Sequence, residues 1–137
     1  TQAVIGGEGN GGIIYPGLHY GRDALVGIAL FLTHLARLGI TCSALRKQYP
    51  NYYNSKNKIE LRPDVNVDQL ITTVRENYRD YPVNDRDGIR IEFDREWVHL
   101  RKSNTEPIIR VISESTSPEK AEALATKMIR EINEIVG

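Results

Sequence analysis

Apolar and polar residues alternate without a break from Ile89 to Phe93, in the order Ile-Arg-Ile-Glu-Phe. Such alternation predicts a strand that buries one face of a sheet and leaves the other face polar. Residues 97–100 and 108–112 have the composition of two further strands, and residues 58–61 that of an earlier one. The second half of the chain is therefore predicted to form an antiparallel sheet.

Two segments beside these strands place apolar residues at helical spacing instead. The first follows Asn66, a favourable N-cap residue, and its apolar positions are Val67, Leu70, Ile71, Val74 and Tyr78. The second follows Ser117-Pro118-Glu119, a typical helix start, and its apolar positions are Ala121, Leu124, Ala125, Met128, Ile129, Ile132 and Val136. The predicted order is β-α-β-β-β-α, an α+β fold with both helices on one face of the sheet.

The chain begins with a different pattern, built around glycine. Residues 3–5 predict the end of a buried strand, and residues 13–15 predict a second short strand. Between them, residues 6–12 read Gly-Gly-Glu-Gly-Asn-Gly-Gly, which predicts a loop whose backbone can approach a ligand closely.

A strongly apolar segment follows this loop. Asp23 is predicted to cap a helix over residues 24–38, Gly39 to end it, and Thr41 to cap a shorter helix before Pro50. The long helix is apolar nearly all round, so we expect it to have neighbours on several sides.

The sequence changes character again at residues 51–58, which are polar and poor in aliphatic residues. This composition is typical of a linker, so we place a domain boundary here, between residues 1–52 and residues 53–137. We also expect the segment to act as a hinge between the two domains.

Composition limits where chemistry can occur. Lys+Arg and Asp+Glu each count 18 in 137 residues, so the net charge is zero and any anion site must be built locally. We expect a cytoplasmic protein with no membrane partner, for three reasons. The chain has a single cysteine, Cys42, and it has no apolar segment long enough to cross a membrane. It also shows no secretion signal. Zero charge also disfavours a nucleic-acid binder, as does the expected absence of an aromatic and basic sheet face.

A polar turn separates the strands at 97–100 and 108–112. It contains Arg101, Lys102, Ser103, Asn104, Thr105, Glu106 and Pro107. An arginine can hold two phosphate oxygens at once, while hydroxyl and amide groups donate to the others. The turn therefore suggests a phosphate site, although serine and asparagine are also common in ordinary hairpin turns.

The glycine-rich loop offers a second candidate site. Glu8 and Asn10 place a carboxylate and an amide two residues apart, an arrangement that can bind adjacent sugar hydroxyls. The loop matches neither the dinucleotide fingerprint nor the Walker pattern, and an ordinary glycine-rich turn explains it as well.

Structural roles explain the other polar residues better than metal binding or catalysis does. Asp85 and Asp87 are more typical of a solvated turn than of a metal loop, and the three histidines lack the spacing of a metal site. Arg110, which alternates with apolar residues, can either reach the phosphate pocket or form an ion pair with Glu92 or Glu114, and we favour the ion pair.

The glycine-rich loop followed by Arg-Lys-Ser-Asn-Thr-Glu-Pro-Ile-Ile-Arg-Val resembles the carboxy-terminal part of the α-D-phosphohexomutase superfamily, which includes phosphoglucomutases, phosphomannomutases and phosphoglucosamine mutases. The resemblance implies that residues 1–52 are the end of that family's third, sugar-binding α/β domain. Glu8 matches the glutamate of the family's sugar-binding motif, and Asn10 stands at the serine position. Gly12 replaces a frequent histidine, so the contact that this histidine makes in other members is not expected here.

The family resemblance implies that residues 53–137 are the complete fourth domain, similar in topology to the TATA-binding protein. The residues that match its Arg-x-Ser-Gly/Asn-Thr-x-Pro phosphate loop are Arg101, Ser103, Asn104, Thr105 and Pro107. This loop is expected to bind the substrate phosphate distal to the reacting one. Lys102 replaces a frequent proline and is expected to add a donor.

The family's catalytic serine loop and its Mg²⁺-binding loop have no match in these 137 residues. We therefore expect the chain to be part of a longer enzyme that interconverts hexose 1-phosphates and 6-phosphates through a phosphoserine and a hexose 1,6-bisphosphate. Its expected partners are the hexose phosphate and the missing amino-terminal domains, and alone it is predicted to lack mutase activity. The alternative is a stand-alone phosphosugar-binding or regulatory module without catalysis.

Overall fold

A computed structural model describes residues 2–7, 11–103 and 105–137. The chain divides into two compact units, Thr1–Pro50 and Asn51–Gly137.

The first unit contains a small hairpin and two helices. Strand β1, Gly6–Gly7, pairs antiparallel with β2, Ile13–Ile14, and is followed by α1, Ala24–Leu38, and α2, Cys42–Arg46. The expected strand at residues 3–5 is wrong, because these residues are exposed and the pairing begins only at Gly6.

Both ends of α1 lie where the sequence predicts them. The Asp23 side chain accepts hydrogen bonds from the backbone N–H groups of Leu25 and Val26 at 2.9 and 3.1 Å. These bonds, the Val26 bond foremost, together with His19, lower the pKa of Asp23. Gly39 ends the helix in the left-handed conformation, at φ 63°. Thr41 likewise caps α2 through a bond from the N–H of Ala44.

The side chains of α1 leave much apolar surface uncovered. None of its residues is buried, and its large exposed residues are Leu25, Ile28, Leu30, Phe31, Leu32 and Leu38. The helix is apolar on several sides, as predicted, but the described residues leave these side chains 38–78% exposed.

The second unit is an antiparallel sheet with two helices. In chain order its elements are β3 Tyr53–Glu60, α3 Val67–Asn77, β4 Val83–Asn84, β5 Ile89–Phe93, β6 Glu96–Lys102, β7 Ile108–Ser115 and α4 Pro118–Val136. The sheet order is β3-β7-β6-β5-β4. The α+β class and the helix N-caps Asn66 and Ser117 are confirmed, while the short strand β4 is an addition to the predicted order.

Strand β3 corrects the linker prediction. Residues 53–58, expected to be an exposed connection and a hinge, pair with β7 along their whole length, from Tyr53 opposite Ser115 onward. The hinge prediction is therefore wrong for these residues. Strand β3 can be polar because it lies at the edge of the sheet, where few side chains are buried. Its backbone hydrogen bonds come from pairing with β7, which its own side chains do not predict.

The core lies on one face of the sheet, between the strands and both helices. The strands contribute Ile59, Ile89, Ile91, Val98, Leu100, Ile109 and Val111, and the helices contribute Leu70, Val74, Leu124, Ala125, Met128 and Ile132. Within this layer the buried hydroxyl of Ser113 donates to the carbonyl of Ala121 at 2.6 Å, which joins β7 to α4.

The opposite face of the sheet, called here the open face, carries the alternate residues of the same strands. The cationic residues and histidine on it are Lys56, Lys58, Arg90, His99, Arg101 and Arg110. Carboxylates and the ring of Trp97 occupy other positions of this face. The covered face is therefore apolar and the open face strongly polar.

Strand β7 allows a direct test of this division. Ile109 is fully buried, whereas Ile112 lies on the open face and is only partly buried. We expect Ile109→Ala to lower the free energy of unfolding by about 2–5 kcal/mol, because it leaves a cavity in the core. We expect Ile112→Ala to cost less than about 1 kcal/mol. Urea unfolding of both variants measures the difference, and equal losses would contradict the assignment of faces.

Gly88 gives a second test. Its φ is 72°, and an added Cβ would collide with the carbonyl oxygen of Leu100 on the neighbouring strand. We expect Gly88→Ala to destabilise the protein by about 1–3 kcal/mol in urea unfolding, because strain and collision act together. Gly137 has φ 73° but nothing within 4 Å of its added Cβ, so Gly137→Ala introduces the strain without the collision and should cost less than Gly88→Ala.

Candidate anion site at the β6–β7 turn

The turn between β6 and β7 is held by backbone hydrogen bonds at both ends. The N–H of Ser103 donates to the carbonyl of Ile108 at 3.0 Å, and the N–H of Ile108 donates to the carbonyl of Glu106 at 2.8 Å. The carbonyl of Pro107 accepts a bond from the N–H of Leu61 at 3.0 Å, just beyond the end of β3. The turn is thus anchored to two neighbouring strands.

The hydroxyl groups of the turn lie side by side. Ser103 Oγ and Thr105 Oγ1 are 3.4 Å apart, and the N–H of Thr105 approaches Ser103 Oγ at the same distance. Both are long, weak contacts, which a stronger acceptor such as a phosphate oxygen can replace. Asn104, the third predicted donor, lies outside the described residues.

Strand alternation sends the two cations before the turn to opposite faces. Arg101 lies on the open face, with 52% of its side chain exposed, and its Nε is 3.2 Å from Asp87 Oδ1. Among the described residues, no hydrogen bond or ion pair engages its two terminal nitrogens. They are therefore available to a ligand with paired oxygen acceptors.

Lys102 lies on the helix side of the sheet. Its ammonium group contacts both carboxylate oxygens of Asp68, at 2.8 and 3.1 Å, in the first turn of α3. The expected extra donor is therefore engaged with a helix residue in this structure.

Sequence reasoning left Arg110 two roles, a contact in the phosphate pocket or an ion pair, and favoured the ion pair. The expected ion pair with Glu92 or Glu114 is wrong, because Glu92 pairs with Arg90 at 3.3 Å and Glu114 accepts bonds from Asn54 and Trp97. Arg110 is exposed instead, directly opposite Arg101 on β6.

The strand register extends this pair to a third cation. Lys58 on β3 lies opposite Arg110 on its other side, so Lys58, Arg110 and Arg101 form a row across three strands. Lys58 also contacts Glu60 at 3.0 Å, and this hydrogen bond is the main cause of its raised pKa. Only knowledge of the strand pairing could have identified the row, because its members are far apart in sequence.

Two members of the row, Lys58 and Arg110, line a depression of 480 Å³ on the open face. Its lining is cationic and aliphatic, with one carboxylate, and consists of Lys56, Asn57, Lys58, Glu106, Ile108, Arg110 and Ile112. A neutral chain thus concentrates positive charge at one place, as a local anion site requires.

The predicted sugar-binding residues Glu8 and Asn10 lie outside the described residues. The residues that flank them are paired, Gly7 with Ile13 in the β1–β2 hairpin. Gly11 has φ 85°, a conformation that favours glycine. Their sugar-binding role stays a prediction.

The structure brings no metal ligands together in the part of the chain that it describes. Asp85 and Asp87, weighed as a metal loop, pair with Arg75 and Arg101 instead, at 3.1 and 3.2 Å. His19 pairs with Asp23 at 3.1 Å. Among the described helices, none is long and apolar enough to cross a membrane.

The expectation that the sheet lacks an aromatic and basic face is wrong, because the open face carries both kinds of residue. Trp97, however, is already engaged there. The Arg90 guanidinium lies 4.6 Å from its ring centre, and its Nε1 donates to Glu114 at 2.9 Å. This ring is therefore a poor platform for stacking a nucleic-acid base.

Comparison with known families gives the same division of the chain as its fold. Residues 56–131 match the model for the phosphoglucomutase/phosphomannomutase C-terminal domain, and residues 1–53 match the model for alpha/beta/alpha domain III of the same proteins. The chain belongs to the phosphoglucomutase/phosphomannomutase family. The resemblance based on the two loops is thereby confirmed at the level of the family.

Two relatives of this phosphoglucomutase/phosphomannomutase family chain are named as mutases. A phosphoglucosamine/phosphogalactosamine mutase of Sulfurisphaera tokodaii is 35% identical over 98% of the chain and 29% of the relative. A phosphoglucomutase/phosphomannomutase of Thermococcus kodakarensis is 38% identical over 88% of the chain and 26% of the relative.

A solved phosphoglucomutase/phosphomannomutase family protein of Burkholderia thailandensis superposes with a TM-score of 0.70 at 27% identity, over 99% of the chain and 29% of that structure. The chain thus spans less than a third of the length of each of these three relatives.

Lys102 and Arg101 allow a test of which cation serves the turn. Because Lys102 is half-exposed and engaged by Asp68, we expect Lys102→Ala to change the free energy of unfolding by less than about 1 kcal/mol. We expect the affinity of the Lys102→Ala variant for inorganic phosphate to stay within about threefold of that of the unmodified chain. At moderate salt, little long-range attraction between Lys102 and the anion is lost. Calorimetric titration measures this, and a loss as large as that of an Arg101 variant would show that Lys102 binds the anion.

Proposed function

We propose that this chain is the substrate-binding carboxy-terminal part of a phosphohexomutase, and that the β6–β7 turn holds the phosphate that is not being transferred. The observation that carries the proposal is the pairing of Arg101 with Arg110 across the sheet, beside the hydroxyls of Ser103 and Thr105. Family membership supports it.

The arginine pair is itself an argument for an anionic ligand. Like charges directly opposite each other on neighbouring strands destabilise a sheet. A phosphate dianion between Arg101 and Arg110 would remove this repulsion and would accept several charge-assisted hydrogen bonds at once. The hydroxyls of Ser103 and Thr105 and the amide of Asn104 would donate to the remaining oxygens.

This site contributes to catalysis by positioning. A hexose phosphate whose phosphate group changes place must be held at either end in turn, so a grip on the distant phosphate sets the distance to the reacting group. Glu8 and Asn10 would bind sugar hydroxyls from the other part of the chain. We assign sugar binding to residues 1–52 and phosphate binding to residues 53–137.

The reacting groups belong to the remainder of the parent enzyme in this proposal. A phosphoserine there would give its phosphate to the hexose monophosphate, and the free serine would then take the other phosphate back from the resulting hexose 1,6-bisphosphate. Mg²⁺ bound there would supply charge stabilisation. We expect the chain alone to bind sugar phosphate without mutase activity, because the family's serine loop and metal loop have no match in its sequence.

The names of the relatives suggest which ligands to compare. They include mutases of phosphoglucosamine and phosphogalactosamine as well as of phosphoglucose and phosphomannose. We propose that the turn recognises the phosphate common to all of them, so inorganic phosphate, glucose 6-phosphate and glucosamine 6-phosphate should perturb the same residues.

The test is titration of the chain with these three ligands at millimolar concentration, followed by backbone amide chemical shifts. We expect shifts at residues 101–105 and 110. We also expect Arg101→Ala and Arg110→Ala each to weaken phosphate binding at least about tenfold, because each loses charge-assisted hydrogen bonds.

Arg130→Ala is the matched control. Arg130 lies on α4, is 71% exposed, and carries the same charge. Its removal should leave binding nearly unchanged. Equal losses in all three variants, or no shifts at residues 101–105 in the unmodified chain, would contradict the proposed site.

A further inference from the structure

We propose that Asp87 is a positioning residue for the anion site, holding the Nε of Arg101 so that the two terminal guanidinium nitrogens remain free for the phosphate. This inference rests on the proposed function, since it assigns a role in ligand binding to a residue outside the turn. The two atoms that carry it are Arg101 Nε and Asp87 Oδ1, 3.2 Å apart.

Asp87 can serve this purpose because its backbone is fixed against strand β6. His99 Nε2 donates to the carbonyl oxygen of Asp87 at 2.6 Å. The next residue, Gly88, lies so close to Leu100 and Arg101 that it has no room for a side chain. The segment between β4 and β5 thus brings the carboxylate to the arginine at a defined place.

The contact occupies Nε and leaves the two terminal nitrogens for an end-on, two-pronged phosphate contact, which does not use Nε. Arginine binds a phosphate in the plane of its fork, through two N–H groups, and the direction of that plane depends on several rotatable bonds. A carboxylate at Nε restrains those rotations before the ligand arrives. Pre-ordering of this kind increases affinity by lowering the cost of binding.

The ion pair between Arg101 and Asp87 is better explained by a role in ligand binding than by a role in folding stability. Both partners are more than half exposed, Arg101 at 52% and Asp87 at 65%, and the ion pair rests on a single nitrogen. Exposed pairs of this kind contribute little to folding. The position of Asp87 next to a cation that the turn needs is therefore the more informative feature.

The carboxylate of Asp87 also has an effect that opposes phosphate binding, and this makes the inference testable. A negative charge beside Arg101 weakens the attraction between the site and an anion. Removing the charge should strengthen phosphate binding, whereas removing the restraint should weaken it. Asp87→Asn removes the charge but keeps an oxygen that can accept from Nε, and Asp87→Ala removes both.

The experiment compares these two variants with the unmodified 137-residue chain by calorimetric titration with inorganic phosphate and with glucose 6-phosphate. We expect Asp87→Asn to bind as tightly as the unmodified chain or more tightly. We expect Asp87→Ala to bind about threefold more weakly than Asp87→Asn, although both have lost the same charge.

Asp85→Ala is the matched control. Asp85 lies two residues away and forms an equally exposed pair with Arg75 at 3.1 Å, on α3 rather than at the turn. Its replacement should leave phosphate affinity unchanged within about twofold. Backbone amide spectra of all variants show whether the β4–β5 segment keeps its structure.

The Nε–H resonance of Arg101 reports whether the contact with Asp87 exists in solution, and it should shift between the unmodified chain and Asp87→Ala. The higher phosphate affinity of Asp87→Asn relative to Asp87→Ala, at equal stability in urea unfolding, is the readout that a merely structural role would not move. Asp87→Ala binding as tightly as Asp87→Asn would overturn the inference while leaving the proposed function intact. Failure of the unmodified chain to bind either ligand would overturn the proposed function and this inference with it.

Discussion

The pairing register between β6 and β7 is the constraint on which the second unit depends. It places Leu100 opposite Val111 on the covered face and Arg101 opposite Arg110 on the open face. A shift of one residue would exchange the faces of one strand, burying charge in the core and exposing apolar side chains. Burial of the apolar layer against α3 and α4 therefore fixes the position of the cations as well. The turn between these strands, with its paired hydroxyls, follows from the same register.

Placing two arginines opposite each other has a physical cost. The repulsion falls on exposed groups at the edge of the core, where water reduces it. An anion bound between Arg101 and Arg110 would replace this repulsion with attraction of both arginines to the anion. Because the whole chain has no net charge, this arrangement attracts anions locally without making the protein generally basic. The same strands thus supply the stability of the core on one face and the proposed specificity of the site on the other.

Local signals in the sequence predicted the helices well. Asn66 and Ser117 cap α3 and α4 as expected, and the strict alternation at Ile89–Phe93 identified both the strand and its buried face. The polar segment at residues 53–58 was misread as a linker. A strand at the sheet edge needs few apolar side chains, and its hydrogen bonds come from a partner about sixty residues later. Composition within the segment contains no information about that partner.

The candidate site shows the same limit. Arg101, Ser103 and Thr105 could be proposed from one short motif, because neighbouring residues in a turn are necessarily close in space. The sequence by itself determined the helix ends, the buried faces of the central strands and the family motif. Only the tertiary structure decided that Arg110 faces Arg101, that Asp87 contacts the same arginine, and that Lys102 turns to Asp68. These contacts join residues from different strands and helices, and their geometry follows from strand register and side-chain direction, which no local pattern records.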